Sequence, residues 1–163
     1  MNFKITATLL LLVAASTLQA QSKVMQELHE RHPDAAVFML YHSTLNMLNV
    51  NDDEDYARLV YDIDRIKILT VSDTVGTFRK EELPRLRQQL AAHGFEELLS
   101  IHNRDLDMAA YVKQKANKEI SGFFVIVYQP EAVLLIDVIG KVPAADISKL
   151  VKTINNIPQI PWK

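Results

Sequence analysis

Four consecutive segments of β-type composition occupy the second half of this chain, and they constrain its fold more than any other feature. They are residues 95–102, 107–115, 120–128 and 132–139. The connections between them are short and contain residues that favour turns. Because strands joined by short turns become antiparallel neighbours, these segments predict an antiparallel sheet. Residues 123–127 are all apolar, which predicts a central strand covered on both faces.

The rest of the chain alternates helical and strand patterns. Helices are predicted at residues 22–31, after the acidic cluster 51–55, at 78–93 with a stop at Gly94, and at 143–156. Strands are predicted at 65–71 and at 36–41, where a continuous apolar run is consistent with a buried strand. We therefore predict a single α+β domain, in which three to five helices pack a mostly antiparallel sheet of about five to six strands.

The first 20 residues have the pattern of an export signal. Lys4 provides a positive start, residues 5–15 are apolar or carry a hydroxyl, and a small, polar stretch leads to a possible cleavage site after Ala20. A permanent membrane helix needs about 20 apolar residues, more than this run supplies. We predict that residues 1–20 are a signal peptide and that residues 21–163 form a mature domain without a transmembrane span.

Composition excludes several classes of function. The chain has no Cys, so disulfides, thiol catalysis and a lipid-modified Cys are excluded. Without Lys4, 17 basic residues stand against 20 acidic ones, a formal charge of −3, and there is no basic stripe for nucleic acid. Phosphate-loop and nucleophile-elbow patterns do not occur. No cofactor is predicted.

Asp137 is the best single candidate for a functional acid. It lies inside the apolar run 133–139 and alternates with Val133 and Leu135 on one face of the predicted strand. The sequence favours a partly solvated face, while burial with a partner is the functional alternative.

His42 and Ser43 follow the first predicted strand and are weak candidates for a binding site. Neighbouring side chains diverge, so the two do not form a nucleophile and base pair by adjacency. Helix initiation by Ser43 or Thr44, with Leu45 and Leu48 turned inward, is the simpler interpretation.

Two residue pairs are weak candidates for metal ligands. His29 and His32 are three residues apart, a spacing that can place both on one helix face, but surface histidines are the favoured interpretation. Asp53 and Asp55 fit part of a calcium-loop pattern, but Tyr56 stands where that loop needs Gly. Capping of a helix explains the acidic residues better.

Several segments together resemble a family of exported bacterial proteins called domain of unknown function 4252. They include residues 36–48, the strand 66–69, residues 95–99, and residues 135–140 followed by 146–150. The resemblance covers nearly all of the mature chain. It implies an envelope protein of a Gram-negative bacterium, in the periplasm or at the cell surface, and it transfers no catalytic or binding residue.

Three functional hypotheses follow. The leading one is a non-enzymatic envelope protein that binds another envelope protein or a lipid, in envelope maintenance or signalling. It predicts an exposed apolar patch at a sheet edge or along residues 123–128. The alternative is a small hydrolase or lipid-handling protein with Asp137 or a His in a pocket, and the third is a domain stabilised by calcium or zinc. The oligomeric state is left open.

Overall fold

A computed structural model of the protein describes residues 20–72, 78–104, 106–142 and 146. Its helices and strands in chain order are α1 (Ala20–Arg31), β1 (Ala36–Tyr41), α2 (His42–Met47), α3 (Glu54–Val60), β2 (Ile63–Ser72), α4 (Glu82–Ala92), β3 (Phe95–His102), β4 (Asp107–Gln114), β5 (Ile120–Gln129) and β6 (Ala132–Gly140). The helix predicted at 143–156 lies outside the described residues, apart from Asp146. Among the described helices, none has the length and apolar character that a membrane crossing requires.

The six strands form one antiparallel sheet in the order β1-β2-β6-β5-β4-β3. The four strands of the second half are consecutive neighbours, as their short connections predict. Strand β2 joins this meander by pairing with β6, and β1 then pairs with β2. The predicted α+β domain with a mostly antiparallel sheet is confirmed.

Both faces of the sheet are packed. Helices α2 and α3 lie on one face, whose core includes Phe123 and Val138. Helices α1 and α4 lie on the other face, whose core includes Phe124 and Leu135. Because successive residues of a strand point to opposite faces, β5 contributes to both cores, and the prediction of a central strand is confirmed.

Helix α4 begins at Glu82, four residues later than predicted, and ends before Gly94 as predicted. Pro84 lies in the first turn, where the missing N–H has no helical partner to lose. Gly94 follows the helix with a φ of +79°, a left-handed conformation that favours Gly. The helix leucines at 83, 86 and 90 are buried, as predicted from their spacing.

Helix α2 differs from the expectation for its start. It begins at His42, directly after the extended Tyr41, and no side chain caps it. Ser43 and Thr44 therefore lie inside the first turn, and the prediction that either initiates the helix is wrong. Leu45 is buried as predicted, but Leu48 is exposed.

Strand β1 was predicted to be buried, and this prediction is wrong. It is an edge strand, and four of its six residues are exposed. A run that is apolar on both faces usually belongs to a central strand, but pattern alone does not state how many neighbours a strand has. Here β1 pairs only with β2 among the described residues.

A close backbone approach marks the end of β6. The pairing with β2 shifts between Ile63, which faces Gly140, and Arg65, which faces Ile139. Gly140 has a φ of +137°, and a Cβ there would lie 2.2 Å from the carbonyl oxygen of Asp62. Only Gly fits this position without moving backbone.

Candidate functional site

Asp137 lies at the centre of the sheet, on the face that α1 and α4 cover. It shares this face with Leu135, and its cross-strand neighbours are Lys67 on β2 and Phe124 on β5. Asp137 is only 1% exposed, and neither carboxyl oxygen has a hydrogen-bond partner among the described residues. The interpretation of a partly solvated face is therefore wrong, because β6 is an interior strand and α1 and α4 pack on the face that carries Asp137.

Three cations act on this carboxyl, and we call the four residues the Asp137 cluster: Asp137, Arg65, Lys67 and Lys113. Burial raises the pKa of Asp137 to about 7, although the positive charges of the other three oppose this rise. Burial lowers the pKa of Lys67, and the charge of Arg65 lowers it further, while Asp137 acts in the opposite direction. The cluster thus holds an acid that can gain or lose a proton near neutral pH.

The chemistry open to this cluster is limited by its surroundings. Phe124 separates Asp137 from Tyr111, which is the cross-strand neighbour of Phe124 on β4. The Tyr111 hydroxyl donates a hydrogen bond to Glu97 at 3.1 Å. Burial raises the pKa of Tyr111 to about 12, and the hydrogen bond to Glu97 adds to this effect, so Tyr111 is not a base at neutral pH. No described hydroxyl or imidazole is hydrogen-bonded to Asp137.

The ring of His42 contacts α2 and the start of β2 and does not lie beside Asp137. Its Nδ1 lies 3.0 Å from the carbonyl oxygen of Ile63, and Asn46 Nδ2 lies 2.9 Å from its Nε2. Nδ1 therefore donates to the carbonyl and Nε2 accepts from the amide, which is the neutral form of the ring. Ile63 is four residues from Lys67 on β2, roughly 13 Å along the strand, so the structure does not bring His42 to Asp137. Ser43 is exposed on α2.

His29 and His32 lie at the end of α1. The prediction of surface histidines is wrong for His32, which is buried against the ring of Phe78 at 5.7 Å. Its Nε2 is 3.4 Å from Glu82 Oε2, the same oxygen that Arg31 contacts at 2.9 Å. This contact joins α1 to the start of α4.

Asp53 caps helix α3, as the sequence predicted. Its Oδ1 accepts from the backbone N–H groups of Asp55 and Tyr56, at 2.8 and 3.1 Å. The side chain of Asp55 forms an ion pair with Arg58. Within the described ranges, no three acidic or His side chains are grouped as metal ligands.

Exposed apolar side chains lie on β1 and in the segments that follow it, and the sequence analysis did not predict their exposure residue by residue. We call them the β1-edge surface: Phe38, Met39, Tyr41, Met47, Leu48, Val50 and Tyr61. The first three belong to β1, the next three lie on α2 or just after it, and Tyr61 follows α3 shortly before β2 begins. Their exposed fractions range from 36% to 84%. The one available signal was the lack of any polar residue in β1.

The comparisons with known proteins agree with the resemblance seen in the sequence. The family described as domain of unknown function (DUF4252) matches residues 29–150. The chain belongs to this family. The match extends from the end of α1 through β6, so the DUF4252 domain includes both faces of the sheet. No curated protein and no solved structure matches the DUF4252 chain.

Proposed function

We propose that this DUF4252 protein is an exported, non-enzymatic interaction protein of the Gram-negative cell envelope. It binds a protein partner through the β1-edge surface and acts in envelope maintenance or signalling. The observation that carries the proposal is this surface itself, where seven large apolar side chains are exposed on the edge strand β1 and in the segments that follow it. Apolar side chains grouped in this way mark interaction sites on soluble proteins.

The chemistry of the surface fits a protein partner. β1 and the exposed residues after it include aromatic side chains and Met, which are enriched in protein interfaces. The other edge strand, β3, also exposes Leu98, Leu99 and Ile101, but the charged residues Glu96 and Glu97 precede them on the same strand. The β1 edge therefore offers the larger uncharged surface.

The experiment places a photo-crosslinking amino acid at Met47, which is 81% exposed. The full chain carries a C-terminal tag and is expressed at native level, and the cells are irradiated before purification. Arg85 is the matched control, because it is exposed on α4 at the opposite face of the sheet. We expect a protein adduct at position 47 and none at position 85. Recovery of unmodified monomer from both variants would contradict the proposal.

Export is tested on the same cells by fractionation. We expect the tagged protein in the envelope fraction, with an amino terminus at Gln21. A cytosolic protein that retains Met1 would contradict the export part of the proposal.

The burial of Asp137 favours a second candidate function, a small hydrolase or lipid-handling protein that uses this acid. This function predicts that hydrolysis of simple esters at pH 7 is lost in Asp137→Asn and kept in Asp64→Asn, which changes an exposed aspartate of β2. Equal rates in both variants would exclude Asp137 as the catalytic acid.

A further inference from the structure

Resting on the proposed function, we propose that the partner of the β1-edge surface is a second copy of this chain. The two β1 strands pair antiparallel across a two-fold axis, so that one sheet continues through both copies. The axis passes beside Met39, the fourth residue of β1.

The two edges of the sheet differ in how they are protected against such pairing. β3 carries Glu96 and Glu97, and its pairing with β4 shifts between Glu97 and Leu99. Charges and bulges of this kind prevent edge strands from joining other sheets. β1 has neither, since it contains no charged residue and pairs with β2 at six consecutive positions without a shift. Only the β1 edge is therefore suited to pairing.

Among the described residues, none pairs with the outer backbone of β1. In an antiparallel strand, alternate residues direct both N–H and C=O away from the neighbouring strand. The hydrogen bonds described outside helices and strands include none to the backbone of residues 36–41. A second β1 strand would satisfy these groups.

The faces of the sheet determine the register. Residues opposite each other in an antiparallel pair point to the same face, so a two-fold axis must place a residue of β1 opposite itself. With Met39 at the axis, Phe38 faces Leu40 of the second copy and Tyr41 faces Val37 of the second copy. These are apolar pairs, and the second joins an aromatic and a β-branched side chain, a combination that stabilises sheets.

The available surface matches what a stable dimer buries. A large side chain has a surface of about 200 Å². Multiplied by the exposed fractions of its seven residues, this value gives the β1-edge surface an exposed area of about 800 Å² per copy. A standard protein interface buries about this area on each partner. Because β1 has no charged residue, pairing of the two β1 strands places no like charges opposite each other.

The first test is the oligomeric state of the full chain, measured by size exclusion with light scattering. We expect twice the chain mass for the wild type and a dissociation constant at least about tenfold higher for Met39→Glu, since like charges directly opposite are destabilising. Within one copy, residue 39 faces Lys67, so the new carboxylate has a cross-strand partner and the fold is kept. Circular dichroism checks this. Ile101→Glu, on the exposed edge β3, is the matched control and should remain dimeric.

The second test uses the absence of Cys from the chain. Met39→Cys introduces a single thiol that lies at the proposed axis, and mild oxidation should give a disulfide-linked dimer. Ile101→Cys lies on β3, where residue 101 is 47% exposed against 38% for residue 39, and it should remain monomeric on a non-reducing gel.

A wild type with the mass of one chain, together with no disulfide at position 39, would overturn this inference. The photo-crosslinking experiment at Met47 distinguishes failure of the dimer inference from failure of the proposed function. An adduct of another mass retains the proposed function and excludes the second copy, whereas no adduct contradicts both.

Discussion

Asp137 should make the protein more stable at acidic than at alkaline pH. Its pKa is raised to about 7 in the folded protein, against an ordinary value of 3.8. Between these two pH values the folded state binds the proton more tightly than the unfolded state, so the free energy of unfolding falls as the pH rises. Above pH 7 the carboxyl is charged in both states, and the full cost of burying that charge is present.

The magnitude follows from the same two pKa values. They differ by about 3, and each pH unit corresponds to about 1.4 kcal/mol, so the ionisation of Asp137 lowers stability by about 4 kcal/mol between pH 4 and pH 8. Asp137→Asn removes this titration and keeps the size of the side chain. The variant should therefore lose most of this pH dependence.

The assay is urea unfolding followed by circular dichroism at pH 4 and pH 8. For each protein we take the change in the free energy of unfolding between the two pH values. Subtracting the change of Asp137→Asn from that of the wild type cancels the contributions of other titrating groups. Asp64→Asn is the control, because it removes an exposed carboxylate from β2. If Asp137→Asn retains the pH dependence of the wild type, the buried carboxyl does not titrate in this range and the reasoning is refuted.

Two further predictions concern backbone conformation and capping. Gly140→Ala should lower stability by more than about 3 kcal/mol, because its Cβ meets the Asp62 carbonyl, whereas in Gly94→Ala the new Cβ meets only Lys113 Cε at 4.0 Å, an ordinary contact, and the substitution should cost about 1–2 kcal/mol for its left-handed φ. Equal losses of stability in the two variants, measured by thermal or urea unfolding, would show that the close approach of residue 140 to the Asp62 carbonyl does not matter. Asp53→Ala should lower stability by about 1 kcal/mol through loss of the α3 cap. A chelator should leave the melting temperature of wild type and variant unchanged, and a decrease in the wild type alone would restore the metal hypothesis.

Local patterns predicted much of the fold because they depend on neighbouring residues along the chain. The turn-linked runs of the second half became β3 to β6, Gly94 ended α4, and the apolar run 123–127 became the doubly packed centre of β5. A helix after β1 was predicted, but its start at Ser43 or Thr44 and the inward position of Leu48 were wrong, because a six-residue helix has too few turns for its periodicity to fix its boundaries.

The candidate sites depended more on the tertiary structure. Sequence identified Asp137 as unusual but assigned it to a solvated face, because alternation gives the side of a strand and not what covers that side. His32 was placed on the surface for a similar reason, since its burial results from contact with Phe78, 46 residues later. Asp53 was interpreted correctly because a cap contacts only the next few residues.

By itself the sequence determined where most of the described helices and strands lie, that the later strands run antiparallel, and that no thiol chemistry is available. The tertiary structure alone decided that β6 lies between β2 and β5, that β1 is an edge, and that a carboxyl is buried beside three cations. The physical reason is range. Periodicity and capping act within a few residues, whereas the number of neighbours of a strand and the burial of a side chain depend on segments that meet only after the chain has folded.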